Sequence, residues 1–155
     1  MDVQTGSETA ADLAAVRRRR AELRETLQRL EEALAAPAAG RAVVWGERVQ
    51  QALARLAQDF ALHIEVTEGP DGLHQSILSG DLRLANAVDA LTAEHASITA
   101  EISAVSAATE APVTPTDVPL VREDATRLMG HVIKHRQRGA DLVYEAYATD
   151  IGGNG

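Results

Sequence analysis

Residues 41–67, RAVVWGERVQQALARLAQDFALHIEVT, decide the fold class, because their large apolar side chains recur at intervals of three and four. That spacing places an apolar stripe along one face of an α-helix, whereas a strand needs alternation at every second residue. The stripe consists of Trp45, Val49, Leu53, Leu56, Phe60 and His63. This segment therefore predicts a long amphipathic helix with a histidine at a core position.

Three further segments carry the same pattern. The stripe of the first segment is Leu13, Val16, Arg20, Leu23, Leu27, Leu30 and Leu34. That of the third is Leu84, Val88, Leu91, His95, Ile98, Ile102 and Val105. The last segment begins near Thr116 or Asp117, either of which can cap a helix, and its stripe is Val121, Ala125, Leu128, Val132, His135 and Leu142, with His131 beside it.

Glycine and proline separate these segments at 36–40, 69–72 and 111–119. A short apolar piece at 73–78 predicts one additional helix after the second long one. We expect one domain over 1–155, with 1–8 and 149–155 as flexible tails. The sequence therefore predicts an all-α fold, an antiparallel up-down four-helix bundle with a short extra helix.

Composition limits the function classes. The chain has no cysteine, so a metal ion would need imidazole and carboxylate ligands. Its formal net charge of −8 disfavours nucleic acid and anionic membranes as partners. No apolar run approaches the roughly 20 residues that cross a bilayer, so we expect a soluble, cytoplasmic protein, and a homodimer is left open.

The histidines form the candidate site. At about 1.5 Å of rise per residue, an antiparallel bundle brings His63, His95, His131 and His135 to similar heights. Four inward imidazoles from three helices predict a metal site, with Glu68 as an available carboxylate. The alternative is a set of neutral core histidines that hydrogen-bond to their neighbours.

Two acidic residues and one further histidine are additional candidates for the site: Glu145, Asp59 and His74. Glu145 follows His135 by about 15 Å of helix, so it would ligate the same ion only if the helix breaks at Gly139; otherwise we expect it to pair with arginines of the first segment. We expect His74 at the surface, with a fifth ligand as the alternative. Asp59 would orient the ring of His63 or face solvent.

These segments resemble the hemerythrin-like, His-His-Glu cation-binding family, in which each half of a bundle reads roughly HxxLRxxL and then HxxxEE. The third segment gives HASITAEI at 95–102 and the fourth gives LMGHVIKHR at 128–136, with His135 at the glutamate position. The first gives RAELRETL at 20–27, with Arg20 at the histidine position, and the second gives HIEVTE at 63–68, with Thr67 at the first glutamate.

The resemblance implies a non-heme iron site that binds or senses oxygen, peroxide, nitric oxide or iron. Because an arginine cannot donate a lone pair, Arg20 removes one ligand of the family's two-iron centre. The remaining set of His63, Glu68, His95, His131 and His135, with Glu145 as a further candidate, would suit one iron or zinc ion or an unequal pair. The alternatives are a metal-free bundle that serves as an interaction module and a weak peroxide-decomposing enzyme.

Overall fold

The computed structural model describes the backbone of residues 2–152 and the side chains of residues 13–148. The helices, in chain order, are α1 (Asp2–Ala35), α2 (Ala42–Glu68), α3 (Leu73–Gly80), α4 (Ala85–Ala107) and α5 (Val118–Gly152). A single 3-10 turn, Leu82–Leu84, joins α3 to α4, and the described backbone contains no strand. The predicted all-α class, the four long helices and the short helix after the second are therefore confirmed.

The helix boundaries follow the local signals in the sequence. The break between α1 and α2 contains Gly40, whose φ of 69° lies in the left-handed region that glycine adopts without strain. Helix α5 begins directly after Asp117, as expected. The Asp117 carboxylate accepts hydrogen bonds from the backbone N–H and the hydroxyl of Thr114, at 3.0 and 2.7 Å, and so fixes the turn that leads into the helix.

The terminal helices are longer than the sequence patterns indicate. Helix α1 begins at Asp2 and α5 continues to Gly152, so the backbone is helical within both stretches that the sequence predicts as tails. Residues 153–155 of the second stretch lie outside the described residues. Alanine-rich sequence at 9–15 favours this extension, since alanine has the highest helix propensity. Among the described helices, none is long and apolar enough to cross a membrane.

The side-chain pairs between α4 and α5 run in opposite directions along the two helices. His131 pairs with Glu101, and His135, one turn further along α5, pairs with Glu94, nearly two turns earlier on α4. Such a reversal is the contact pattern of an antiparallel helix pair.

Within the described side chains, those of residues 13–148, two clusters of buried apolar residues fill the interior. The main apolar cluster contains twenty buried residues from the four long helices and the connections between them, including Leu23, Leu53, Phe60 and Leu128. The minor apolar cluster contains six, which are Val16, Leu73, Ile77, Val88, Leu91 and Leu142. Helix α3 contributes only to the minor cluster, so it covers one end of the bundle.

The opposite end of the bundle is closed by tight packing and by Arg122. The Arg122 guanidinium donates hydrogen bonds to the carbonyl oxygens of Leu34 and Ala36, at 3.0 and 3.1 Å, and lies 5.3 Å from the centre of the Trp45 ring. These carbonyls belong to the end of α1, where no further turn of helix can satisfy them. One residue of α5 therefore links the end of α1 to the start of α2.

A close approach at the same end gives a first testable prediction. A Cβ atom at Gly46 would lie 2.4 Å from Cγ2 of Val113, whereas a Cβ atom at Gly130 would meet nothing within 4 Å. We expect Gly46→Ala to lower the free energy of unfolding by about 1–3 kcal/mol through overpacking. Gly130→Ala, at another helical glycine, should raise it by about 0.5–1 kcal/mol. Urea unfolding followed by circular dichroism measures both, and equal effects of the two substitutions would contradict the packing at Gly46.

Candidate metal centre

A layer of polar side chains, one from each long helix, separates the two apolar clusters. The layer consists of Arg20, His63, His95 and His135. Along its own helix, each of the four lies between a residue of the main cluster and a residue packed in the minor cluster. In that order, the flanking residues are Leu23 and Val16 for Arg20, Phe60 and Val66 for His63, Ile98 and Leu91 for His95, and Val132 and Leu142 for His135. Polar groups at such positions cost free energy unless they are paired or bind a ligand.

Three of these side chains, His63, His95 and His135, form a compact histidine cluster. One ring nitrogen from each lies within 4.8 Å of the others, and the three rings are 8%, 2% and 2% exposed, respectively. Nε2 of His63 lies 3.2 Å from Nε2 of His135. The ring centres are 4.7–5.3 Å apart, and Phe60 packs against all three rings from the main cluster.

Glu94 orients the ring of His135. Its carboxylate accepts a hydrogen bond of 2.7 Å from Nδ1 of His135 and also pairs with Arg138. Since Nδ1 carries the proton, the lone pair of a neutral His135 is on Nε2, which faces the histidine cluster. A carboxylate behind a ligating imidazole is the usual outer arrangement at metal sites.

Glu68 approaches the cluster through His95. Its Oε1 lies 3.1 Å from Nδ1 of His95, although the two groups are too poorly aligned for a hydrogen bond. Both ring nitrogens of His95 and Nδ1 of His63 are buried without a hydrogen-bond partner. Glu68 therefore lies beside the cluster, where it contacts a histidine and does not join the three converging nitrogens, and its role as a ligand stays a prediction.

The histidines of the cluster are neutral at physiological pH. Burial lowers the pKa of His63 to about 3, with a further contribution from the positive charges that His95 and His135 would carry. Burial also lowers the pKa of His95 and of His135, against the opposing effects of Glu68 and Glu94. Neutral imidazoles keep their lone pairs, which is the form that binds a metal ion.

The prediction that His131 points into the bundle is wrong. Its side chain is 49% exposed, and Nδ1 donates to the Glu101 carboxylate at 2.7 Å on the outer side of α4 and α5. The cause is the helical repeat: His131 is adjacent to the buried Val132, so a rotation of about 100° takes its side chain away from the core. His131 is therefore not part of the histidine cluster.

The expectation that His74 lies at the surface is also wrong. His74 is buried on α3, its Nδ1 lies 3.2 Å from the hydroxyl of Thr92, and its ring is stacked parallel to that of His95 at 5.7 Å. Burial and the neighbouring His95 lower the pKa of His74 to about 4. The short helix carries it across the end of the bundle, so a fourth imidazole lies next to the cluster.

The remaining candidates occupy other places. Glu145 is exposed and does not belong to the group of converging ligand atoms found among the described residues, and α5 runs through Gly139 without the break that ligation would require. Asp59 neither orients His63 nor faces solvent: it is buried, accepts a hydrogen bond from Thr26 and pairs with Arg55 at 3.5 Å. The Thr67 hydroxyl donates to the carbonyl oxygen of His63 at 2.9 Å.

A small cavity adjoins the cluster. It has a volume of about 20 Å³ and is lined by the three clustered histidines and by His74, Arg20 and Arg136, among others. About 10–15 Å³ suffices for one water molecule, so the cavity can hold a water molecule or a small ligand. The cavity therefore provides a small space directly beside the imidazole rings.

These residues fit one metal ion better than two. One ring nitrogen from each of His63, His95 and His135 converges, and two of these residues, His63 and His95, carry buried nitrogens without a hydrogen-bond partner. A two-iron centre of the hemerythrin-like type needs further histidines and bridging carboxylates, yet Arg20 takes the fourth place in the layer and His131 lies outside it. Glu68 is the one carboxylate that contacts His95 within the described part of the chain.

Three comparisons with known proteins give no relative for this chain. No family model, no curated protein and no solved structure matches it significantly. The resemblance to hemerythrin-like domains therefore rests on the residues and their spacing.

Sequence reasoning missed two residues of this site, Glu94 and Arg136, and placed a third, His74, at the surface. Glu94 precedes His95 and therefore lies off the apolar stripe, so it meets His135 only because α4 and α5 pack side by side. Arg136 follows His135 and lines the cavity from a flank of α5. The sequence carried one signal for each: Glu94 directly precedes the core residue His95, and Arg136 directly follows the core residue His135.

Proposed function

We propose that this protein binds one non-heme iron ion, or a zinc ion in its place, in the interior of the bundle. His63, His95 and His135 would hold the ion, Glu94 would orient His135, and Glu68 would stabilise its charge from beside His95. The ion would bind or sense a small molecule such as oxygen, peroxide or nitric oxide. The resemblance in the histidine motifs favours iron, and a set of imidazoles without thiolates also suits zinc.

The convergence of three neutral imidazoles is the observation that carries this proposal. Metal–nitrogen distances of about 2.0–2.1 Å in a tetrahedral site put neighbouring nitrogens about 3.3 Å apart. The Nε2 atoms of His63 and His135 are already 3.2 Å apart, and the third imidazole is within 4.8 Å of both. A small movement of His95 would complete a three-nitrogen site.

Three protein ligands leave coordination positions for an exchangeable molecule, which is the arrangement of binding and catalytic metal sites. The cavity beside the cluster supplies the space for that molecule. Burial by Phe60 and by the minor apolar cluster excludes bulk water, so a polar ligand would interact strongly with the ion there.

One observation favours a metal-free interaction module as the second candidate. Because Nδ1 of a neutral His135 donates to Glu94, its Nε2 can accept a hydrogen bond from Nε2–H of His63. Arg20 also lines the cavity, and the positive charge of an arginine opposes a divalent cation. In this candidate the polar layer would fix the register of the helices, as buried polar groups do in some bundles.

Metal stoichiometry separates the two candidates. We expect protein freed of metal, loaded anaerobically with iron(II) or zinc and passed through a desalting column, to retain close to one ion per chain by mass spectrometry. The two metals, offered separately and then in competition, identify the preferred ion. Retention below a tenth of an ion per chain for both would overturn the proposal and leave the interaction module as the better explanation.

A further inference from the structure

Two arginines border the cavity next to the histidine cluster. Arg20 comes from α1 and Arg136 from α5, and both line the same space. Nε of Arg136 is buried without a hydrogen-bond partner. Within residues 13–148, no salt bridge joins either guanidinium to a carboxylate, although other arginines of this acidic protein have such partners. The lining of the cavity therefore includes two arginines that have no carboxylate partner among the described side chains.

The arginines beside the cavity all carry positive charge, so they repel and do not neutralise one another. Burial lowers the pKa of Arg136 on α5, and the positive charges of Arg20 and Arg24 on α1 lower it further. Burial and the neighbouring Arg17 act in the same direction on Arg20. A guanidinium still stays protonated in proteins, so the repulsion and the lost hydration persist until an anion neutralises them.

The cavity limits the size of such an anion. Its volume of about 20 Å³ accommodates one or two water-sized positions, so only the smallest oxyanions can occupy it. Guanidinium groups present paired N–H donors in one plane, which matches the two oxygens of a planar oxyanion. The neighbouring imidazoles are neutral donors or acceptors and add no opposing negative charge.

We propose that Arg20 and Arg136 bind a small planar oxyanion of the carboxylate type in the cavity beside His63, His95 and His135. The site consists of protein groups alone and does not require the metal ion of the proposed function. When an ion is bound, the same anion would lie next to its open positions and offset part of its charge. The two arginines would then select the charge of the molecule that reaches the histidine cluster.

Formate is the probe for this site. Butyrate is the matched control, because it has the same carboxylate group on a molecule that is too large for the cavity. We expect formate, added to metal-free ¹⁵N-labelled protein at constant ionic strength, to shift the Nε–H resonance of Arg136 in a saturable manner. Butyrate should cause no saturable shift at the same concentrations. Arg20→Gln and Arg136→Gln, followed through the backbone amide resonance of residue 136, should each weaken formate binding at least tenfold, as the loss of a hydrogen bond to a charged group does.

Arg24→Gln is the control variant, because Arg24 lies one turn from Arg20 and is exposed outside the cavity lining. It should change formate affinity less than twofold. If Arg20→Gln fails to fold, Arg20→Lys keeps the charge, loses the paired donors and should weaken binding severalfold. No saturable formate shift, or an equal loss in all three glutamine variants, would overturn the anion site. Since the protein is metal-free throughout, neither result bears on metal stoichiometry.

Discussion

His135→Ala is expected to weaken iron(II) or zinc binding by at least a hundredfold, which is the largest effect we predict for a single substitution. Removal of an outer-shell partner alone typically costs 10–100-fold in metal affinity, and loss of a ligand should exceed that. His135 supplies one of three nitrogens and also connects the cluster to Glu94. Competition with a chromophoric chelator measures the affinity of the purified variant.

The chain offers a closely matched control in His131→Ala. His131 is one turn away on the same helix, is hydrogen-bonded to a glutamate of α4 in the same way, and lies at the surface. We expect this variant to keep the wild-type affinity within twofold. Similar losses in the two variants would mean that the histidine cluster is not the metal site.

The metal-free protein is expected to lose stability as the pH falls from 7.5 to 5. An unfolded chain protonates His63 near pH 6.5, whereas burial holds the pKa of His63 in the folded protein at about 3. The unfolded state therefore binds more protons over this range, and the stability present above pH 6.5 is lost progressively toward pH 3. His63 alone would account for roughly 2 kcal/mol at pH 5.

His74, with a folded-state pKa of about 4, changes stability in the same direction, as do His95 and His135, whose pKa values burial also lowers. Urea unfolding at pH 7.5, 6 and 5 measures the free energy of unfolding directly. His63→Gln should flatten this dependence because it removes one titrating group. A free energy of unfolding that stays constant down to pH 5 in the unmodified chain would show that the histidines are hydrated or charged in the folded state.

Periodicity was sufficient to predict the helices and most of the core. The stripe from Trp45 to His63 is buried at every position, because a single face of a long helix meets the interior along its whole length. The same argument located His95 and His135. The ends of the outer helices were less predictable, since α1 begins at Asp2, well before its apolar stripe does.

The candidate site was less predictable because it depends on how the helices are rotated against one another. Residues four apart differ by about 40° around the helix axis, so His131 and His135 share a face only loosely. The pairing of His131 with Glu101 at the surface and of His135 with Glu94 nearer the core is decided by the packing of α4 on α5. Likewise, His74 reaches His95 through the placement of α3, for which a short sequence segment carries no signal.

The division of the interior into two apolar clusters of unequal size bears on how a ligand could enter. Among the side chains of residues 13–148, twenty form the larger cluster and six form the cluster that α3 covers, and local openings are easiest where fewest apolar contacts are lost. Amide hydrogens of α3 should therefore exchange with solvent through a fluctuation that leaves the larger cluster intact. The imidazoles lie at the boundary between the two clusters, so we expect an opening of the smaller cluster to expose them to water without global unfolding.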